Sequence, residues 1–182
     1  MKITIISSST RMGRISPRIA LALEKAFTIK GHDVHIIDLA EVNLPPFRER
    51  YTRLPDRPQH WTTIMDMLKT SDGIIFLTPE YNGGISSGLK NFIDVFAKDG
   101  FRGKPIGVAT GSTGSRGGIR AAYQVQRIIL SLFAYPQPEM LLVGEMQKKF
   151  DESGILLDKD FQSILDNYVD SFIDFTKRHQ QR

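Results

Sequence analysis

Along this chain, short runs of β-branched and apolar residues alternate with longer stretches in which apolar side chains recur every three or four positions. Residues 2–7 (Lys-Ile-Thr-Ile-Ile-Ser) predict a buried strand, and Ile19, Leu21, Ala22, Leu23, Ala26 and Phe27 give residues 16–30 the spacing of an amphipathic helix. Ser16-Pro17 reads as an N-cap followed by proline at the first helical position, and Gly31 as the stop. A second strand is expected at Val34–Ile37. Residues 59–70 predict a helix through Trp61, Ile64, Met65 and Leu68. Residues 73–78 are nearly all apolar, as in a strand covered on both faces of a parallel sheet. The same alternation predicts a helix at 86–98, a strand at 104–110, a helix at 118–133, a strand at 140–143 and a last helix at 158–178. Five strands alternating with five helices predict an α/β, doubly wound parallel sheet.

Residues 40–58 break the pattern. They hold four of the nine prolines, together with Arg48, Arg50, Arg53 and Arg57, and predict a long loop. Loops of that length inside a domain are uncommon and often functional, the alternative being a solvated connection.

Ligands of such sheets sit beyond the carboxyl ends of the strands. Function is therefore expected in the turns at 7–16, 78–87 and 110–118, all rich in glycine, serine or asparagine. In the first, Ser8, Ser9, Thr10 and Ser16 supply hydroxyls, and Arg11, Arg14 and Arg18 supply charge and forked donors. The following helix starts with its N–H groups and positive dipole end aimed at the turn, which suits a phosphate. The segment lacks a Gly-Lys-Ser/Thr ending and has Gly13 as its only glycine, so it is neither a P-loop nor a dinucleotide fingerprint. A mononucleotide phosphate is the reading, against an ordinary polar strand–helix turn.

In the second turn, Pro79 fixes one backbone angle, and Gly83 and Gly84 permit tight turns and close approach. Tyr81 is placed to lie beside a flat ring, with the N–H groups of Glu80 to Gly83 facing the ring's polar edge. In the third turn, Gly111, Gly114, Gly117 and Gly118 make a pliant backbone, with a donor from Ser112.

Composition narrows the chemistry. The length of 182 residues is that of one domain, 1–182, able to bury a core without staples. With no cysteine, disulfides, thiolate metal sites and a cysteine nucleophile are excluded. A net charge of +4 is spread along the chain rather than clustered as a nucleic-acid surface requires. There is no apolar run near the roughly 18 residues of a membrane span and no signal-peptide core, so a cytoplasmic protein is expected. His32, His35, His60 and His179 show no metal-ligand spacing and are expected at the surface. No Ser–His–Asp set or nucleophile elbow is readable, and no metal site is assigned.

Pro79-Glu-Tyr-Asn82, followed by Ser87-Gly-Leu-Lys-Asn-Phe-Ile-Asp94, resembles the signature of the NAD(P)H-dependent FMN reductase family, which includes quinone, azo-dye and chromate reductases. The resemblance runs from the Ser-Thr-Arg turn to the third, glycine-rich turn. It implies a flavodoxin-like three-layer sandwich, with the five-stranded parallel sheet in order 2-1-3-4-5 and helices on both faces. It implies FMN as bound cofactor and NADPH or NADH as co-substrate. The activity implied is ping-pong reduction of a small acceptor: free flavin, quinone, azo compound or metal ion. Ser9, Arg11, Ser16 and Arg18 match the family's phosphate loop, and Pro79, Glu80, Tyr81, Asn82 and Gly83 its isoalloxazine-flanking segment; Ser112 is expected at the flavin's pyrimidine edge and Arg116 at the nicotinamide nucleotide. Asn91 and Asp94 are expected to tie down loops, and Lys90 to pair with a carboxylate. Two residues depart from the usual pattern: Ser8 stands where glycine is common, and Arg18 where asparagine is. The chemistry is the flavin's, so no side chain is assigned as acid, base or nucleophile. A homodimer or homotetramer is implied, with residues 86–98 and 44–58 as contact surfaces. An electron-carrier flavodoxin and a non-flavin nucleotide-binding protein are the competing readings; carriers of that kind are usually acidic, whereas this chain is basic.

Overall fold

In the computed structural model, which describes residues 1–180, five strands form one parallel sheet. They are β1 (Lys2–Ser7), β2 (Asp33–Asp38), β3 (Gly73–Pro79), β4 (Pro105–Gly111) and β5 (Tyr135–Val143), in the order β2-β1-β3-β4-β5. Each strand is followed by helix: α1 (Pro17–Ile29), then α2 (Leu39–Val42) and α3 (Gln59–Thr70), α4 (Ser87–Phe101), α5 (Ile119–Ser131), and last α6 (Met146–Lys149) and α7 (Gln162–Gln180). Single 3-10 turns lie at Tyr51–Arg53 and Lys159–Phe161. The expected order of strands is the one found.

Side chains of a strand alternate between faces, and here that alternation divides the core in two. Ile6, Ile74, Phe76, Ile106 and Val108 pack against α3, α4 and α5. Ile3, Ile5, Ile75, Leu77 and Ala109 pack against α1 and α7. Every residue of β3 and β4 is buried, because both strands lie inside the sheet with helices on each side. On the α7 side, a Cβ at Gly73 or Gly107 would come within 2.9–3.0 Å of the Phe172 ring, so these strand glycines form the flat seat on which α7 rests.

Four stretches differ from the sequence expectation. β5 begins at Tyr135, not Met140, and so includes Pro136 and Pro138. Proline is tolerated there because β5 is an edge strand, pairing only with β4, and the ladder shifts register between Ile106 and Val108. The stretch 40–58 is not wholly irregular: it contains most of α2 and the Tyr51 turn, whose buried ring stacks on Phe96 and lies under the Arg57 guanidinium. α4 is broken at Ala97, which has φ 45° and ψ −147°. Residues 144–161 fold over α1, with Phe150 and Phe161 buried and Gly154 against the Leu21 side chain and the backbone of Arg18 and Ala22. Of the histidines expected at the surface, His35 and His60 are exposed, while His32 and His179 are half-buried. Among the described residues, no helix is long and apolar enough to cross a membrane.

Candidate functional site

β3 and β4 end level with each other, and β1 ends two residues short of them on the same rim. Ser7 is opposite Leu77, Pro79 is opposite Gly111, and the Ser8 N–H extends the ladder to Leu77 O at 3.0 Å. The three polar turns therefore leave the sheet on one rim and enclose a cleft of about 280 Å³. The first turn contributes Ser9, Arg11, Gly13, Arg14, Ile15 and Ser16; the second Pro79, Glu80 and Tyr81; the third Gly111, Ser112 and Thr113.

At the base of the first turn, Ser16 is 1% exposed and has helical backbone angles, and its hydroxyl makes no cap bond. Its buried Oγ has no hydrogen-bond partner among the described residues, so the expected N-cap instead leaves an unspent hydroxyl at the start of α1, in a residue that lines the cleft. Arg11 is exposed on the cleft wall. Arg14 is half-buried; one of its terminal nitrogens, Nη1, donates to Ser9 O at 3.0 Å and to the Asp38 carboxylate. That hydrogen bond, more than the charge of Asp38, strengthens the guanidinium's hold on its proton. Arg18 is not brought to the cleft. Its guanidinium donates to Phe150 O at 3.1 Å and faces Glu152 at 3.6 Å, because residues 150–157 fold back over α1. Ser8 also has a structural use: the Ser86 hydroxyl lies 2.9 Å from its Oγ and donates to its carbonyl at 3.0 Å, fastening the first turn to the start of α4.

The second turn is a miniature hairpin. Tyr81 and Gly84 exchange N–H···O bonds of 2.9 and 3.0 Å, and between them Asn82 and Gly83 take φ of 50° and 79°. Asn-Gly suits such a two-residue turn because both positions need positive φ. Asn82 and Gly83 thus build the turn and do not line the cleft. Of the four N–H groups expected to face a ring, Glu80's goes to Gly111 O and Tyr81's to Gly84 O. The Glu80 carboxylate accepts from Arg120 N–H, from Arg120 Nη1 and from Ala121 N–H at 3.0, 3.0 and 3.4 Å. It therefore caps α5, which begins at Gly118 in the left-handed conformation and has no cap of its own. The Tyr81 hydroxyl reaches the Ser9 hydroxyl at 2.8 Å, linking the second turn to the first.

In the third turn Ser112 lines the cleft, but its donors are engaged: its N–H bonds to Val143 O at 3.0 Å and its hydroxyl to Gly114 O at 3.0 Å. Thr113 lies beside it on the cleft wall, and Arg116 is exposed and away from the cleft. Met146, just past β5, closes the floor, where its Sδ lies 2.8 Å from the position a Cβ at Gly111 would take. Sequence reasoning missed Met146, although the rule that ligands lie beyond strand carboxyl ends applies equally to the turn after the fifth strand.

Around the cleft, the residues expected to tie down loops behave variously. Asn91 accepts from Phe47 N–H at 2.7 Å and donates to Pro45 O at 2.8 Å, holding the proline-rich stretch. Lys90 and Asp94 pair with each other along α4, so Asp94 holds no loop. On the far side of the first turn lies a larger cleft of about 650 Å³, walled by Thr10, Leu39, Leu44, Pro46 and Lys90. Among the described residues there is no cluster of His, Asp or Glu able to hold a metal ion.

Residues 1–148 match the family model described as NADPH-dependent FMN reductase. A quinone reductase of Pseudomonas putida is 34% identical over 126 residues, spanning 66% of this chain and 67% of the relative. An NAD(P)H-dependent FMN reductase of Pseudomonas aeruginosa is 28% identical over 172 residues, spanning 91% of this chain and 89% of the relative. Among solved structures, the flavoenzyme NAD(P)H:(acceptor) oxidoreductase FerB of Paracoccus denitrificans gives a TM-score of 0.83 at 22% identity, covering 98% of both chains. At that identity the likeness shows the fold.

Proposed function

This chain belongs to the NADPH-dependent FMN reductase family, and from that premise we propose that its rim cleft holds FMN for an NAD(P)H-dependent reduction of small acceptors such as quinones or free flavin. When bound, the flavin supplies the redox chemistry, taking hydride from NAD(P)H and passing electrons to the acceptor.

The observation that carries the assignment of the cleft is the Ser16 hydroxyl. A buried polar group without a partner costs about 1–3 kcal/mol, which a ligand oxygen arriving there relieves. Arg11 and Arg14 stand on the same wall, and the 13-residue helix α1 starts beneath it. Two guanidinium groups, a hydroxyl and a helix N-terminus fit a phosphate ester. On our reading Ser9, Arg11, Arg14 and Ser16 hold the phosphate, while Pro79, Tyr81, Thr113 and Met146 bound the ring. Ser112 shapes the third turn through bonds of its own. Glu80 serves as a cap and not as a base, since its carboxylate is occupied by the first turn of α5.

We further propose assembly through α4 and the stretch 44–58, as a homodimer or homotetramer. Phe47 is 43% exposed beside a groove that includes Ile93, Ala97 and Ile128. Light scattering on a size-exclusion column reads the state directly, and a monomer at assay concentrations would rule this assembly out.

Titrating the purified protein with FMN and following flavin fluorescence tests the cofactor. Steady-state assays of NADPH and NADH with a panel of acceptors test the reaction. Binding without nicotinamide oxidation would leave an electron carrier instead, and neither binding nor oxidation would remove the reading altogether.

A further inference from the structure

We propose that Asp38, at the end of the edge strand β2 and outside the cleft wall, is a positioning residue that holds Arg14 with one edge of its guanidinium turned to the flavin phosphate. The inference rests on the assignment of the cleft to FMN and adds a residue from a fourth strand to it.

Arg14 has more donors than its protein partners use. A guanidinium carries five N–H groups in a rigid plane. In Arg14, Nη1 spends both of its hydrogens, one on Ser9 O and one on the Asp38 carboxylate. Nη2 and Nε have no hydrogen-bond partner among the described residues. Together they form the second edge of the fork, and Arg14 lines the cleft. A phosphate accepts two parallel N–H bonds from such an edge, and this match of fork to oxyanion is what arginine offers over lysine.

Both partners that fix Arg14 are themselves fixed. Ser9 is buried at the end of β1 and bonded to Tyr81. Asp38 pairs in register with Ser7, and its Oδ1 also accepts from Ala40 N–H at 3.0 Å, which anchors the carboxylate to the start of α2. The Arg14 and Asp38 side chains are 23% and 17% exposed. A long side chain held this way loses little further freedom when a ligand binds, and that pre-organisation is the gain in affinity. Arg11, exposed on the same wall and with no hydrogen-bond partner among the described residues, supplies charge without such aim.

The test compares FMN with riboflavin, which lacks the phosphate, in fluorescence titrations of the full chain. Arg14→Gln is expected to weaken FMN binding about 10- to 100-fold, the range for hydrogen bonds to a charged group, while riboflavin binding stays within about 2-fold. Asp38→Asn keeps an acceptor for Ala40 but loses the charge, and is expected to weaken FMN about 3- to 10-fold. Asp38→Asn should have no further effect in the Arg14→Gln background, as coupled residues require. Arg14→Lys should not restore the FMN preference. Thermal melts without flavin check that each variant folds. If the wild type binds FMN but the variants lose FMN and riboflavin alike, or the two losses simply multiply, the positioning role is overturned while the FMN site stands. Tighter FMN binding by Asp38→Asn would also overturn it, since the carboxylate would then be competing with phosphate for Arg14. A wild type that binds no FMN would instead remove the cofactor assignment itself.

Discussion

The hydroxyls of Tyr81 and Ser9 lie 2.8 Å apart, a bond across 72 residues of sequence that joins the wall proposed for the flavin ring to the wall proposed for its phosphate. Tyr81 thus spans the site instead of standing only at one end. Removing its hydroxyl in Tyr81→Phe keeps the ring wall and frees Ser9. FMN affinity is expected to fall about 2- to 10-fold, the effect of one neutral hydrogen bond, and fluorescence titration measures it. An unchanged dissociation constant would mean that the bond has no part in binding.

Glu80 joins the second turn to the start of α5 by accepting three N–H groups from Arg120 and Ala121, with its side chain 16% exposed. Glu80→Gln removes the charge that favours a helix N-terminus and weakens these bonds, at a cost of about 1–2 kcal/mol of folding stability. Arg120→Ala should cost less, because the Arg120 side chain is 59% exposed and its ion pair is screened by water. Urea unfolding of the two variants checks the order.

Ala97 breaks α4 at φ 45° and ψ −147°, a conformation that suits glycine and strains any residue with a Cβ. Ala97→Gly is therefore expected to raise stability by about 1 kcal/mol, less the backbone entropy of the new glycine, and to raise the melting temperature. A lower melting temperature would show that the Ala97 methyl packs well enough to outweigh the strain.

Tyr168 is buried, its hydroxyl has no partner among the described residues, and burial raises its pKa, keeping the phenol neutral. Tyr168→Phe removes a desolvated hydroxyl while keeping the ring in the α7 packing. Stability is expected to rise by about 1 kcal/mol, read from denaturant midpoints at constant slope.

His32 titrates below its ordinary value, first through burial and then through the positive charges of the Met1 amino group, Lys177 and Lys30. The folded state therefore prefers neutral His32, whereas the unfolded chain binds a proton near the usual pH of about 6.5. Stability from this residue is complete above that pH and declines as pH falls through it toward the lowered folded value. His32→Gln should flatten the stability profile between pH 7 and pH 5, and a profile identical to the wild type would remove His32 from the account.

Much of this architecture is legible in the order of the amino acids. β1 and β3 announce themselves because parallel strands buried on both faces need near-continuous apolar runs, and Ile3, Ile5 and Ile6 in one and Ile74 to Leu77 in the other supply them. The convergence of three turns follows from the rule about strand carboxyl ends. Pro136 and Pro138 hide the first half of β5, since proline argues against a strand unless its edge position is known. The Asn82-Gly83 dipeptide suits a tight turn and a ligand wall equally well, and only the paired bonds between Tyr81 and Gly84 decide for the turn. Arg18 and Arg14 look alike in sequence. What separates them is tertiary: Phe150 and Glu152 draw one away, and Asp38 and Ser9 hold the other in place. No local pattern records such long-range partners.

The Ser8–Ser86 contact, seen beside these cross-links, has a practical consequence for anyone redesigning the enzyme. Ser9, Glu80, Ser86 and Tyr81 are masonry: each is mortared to a different stretch of chain, and exchanging one disturbs its neighbours. New substrate preferences are better sought at Met12, which faces water on the first turn and whose side chain has no hydrogen-bond partner among the described residues. Variation there can recolour the entrance while the wall stays up.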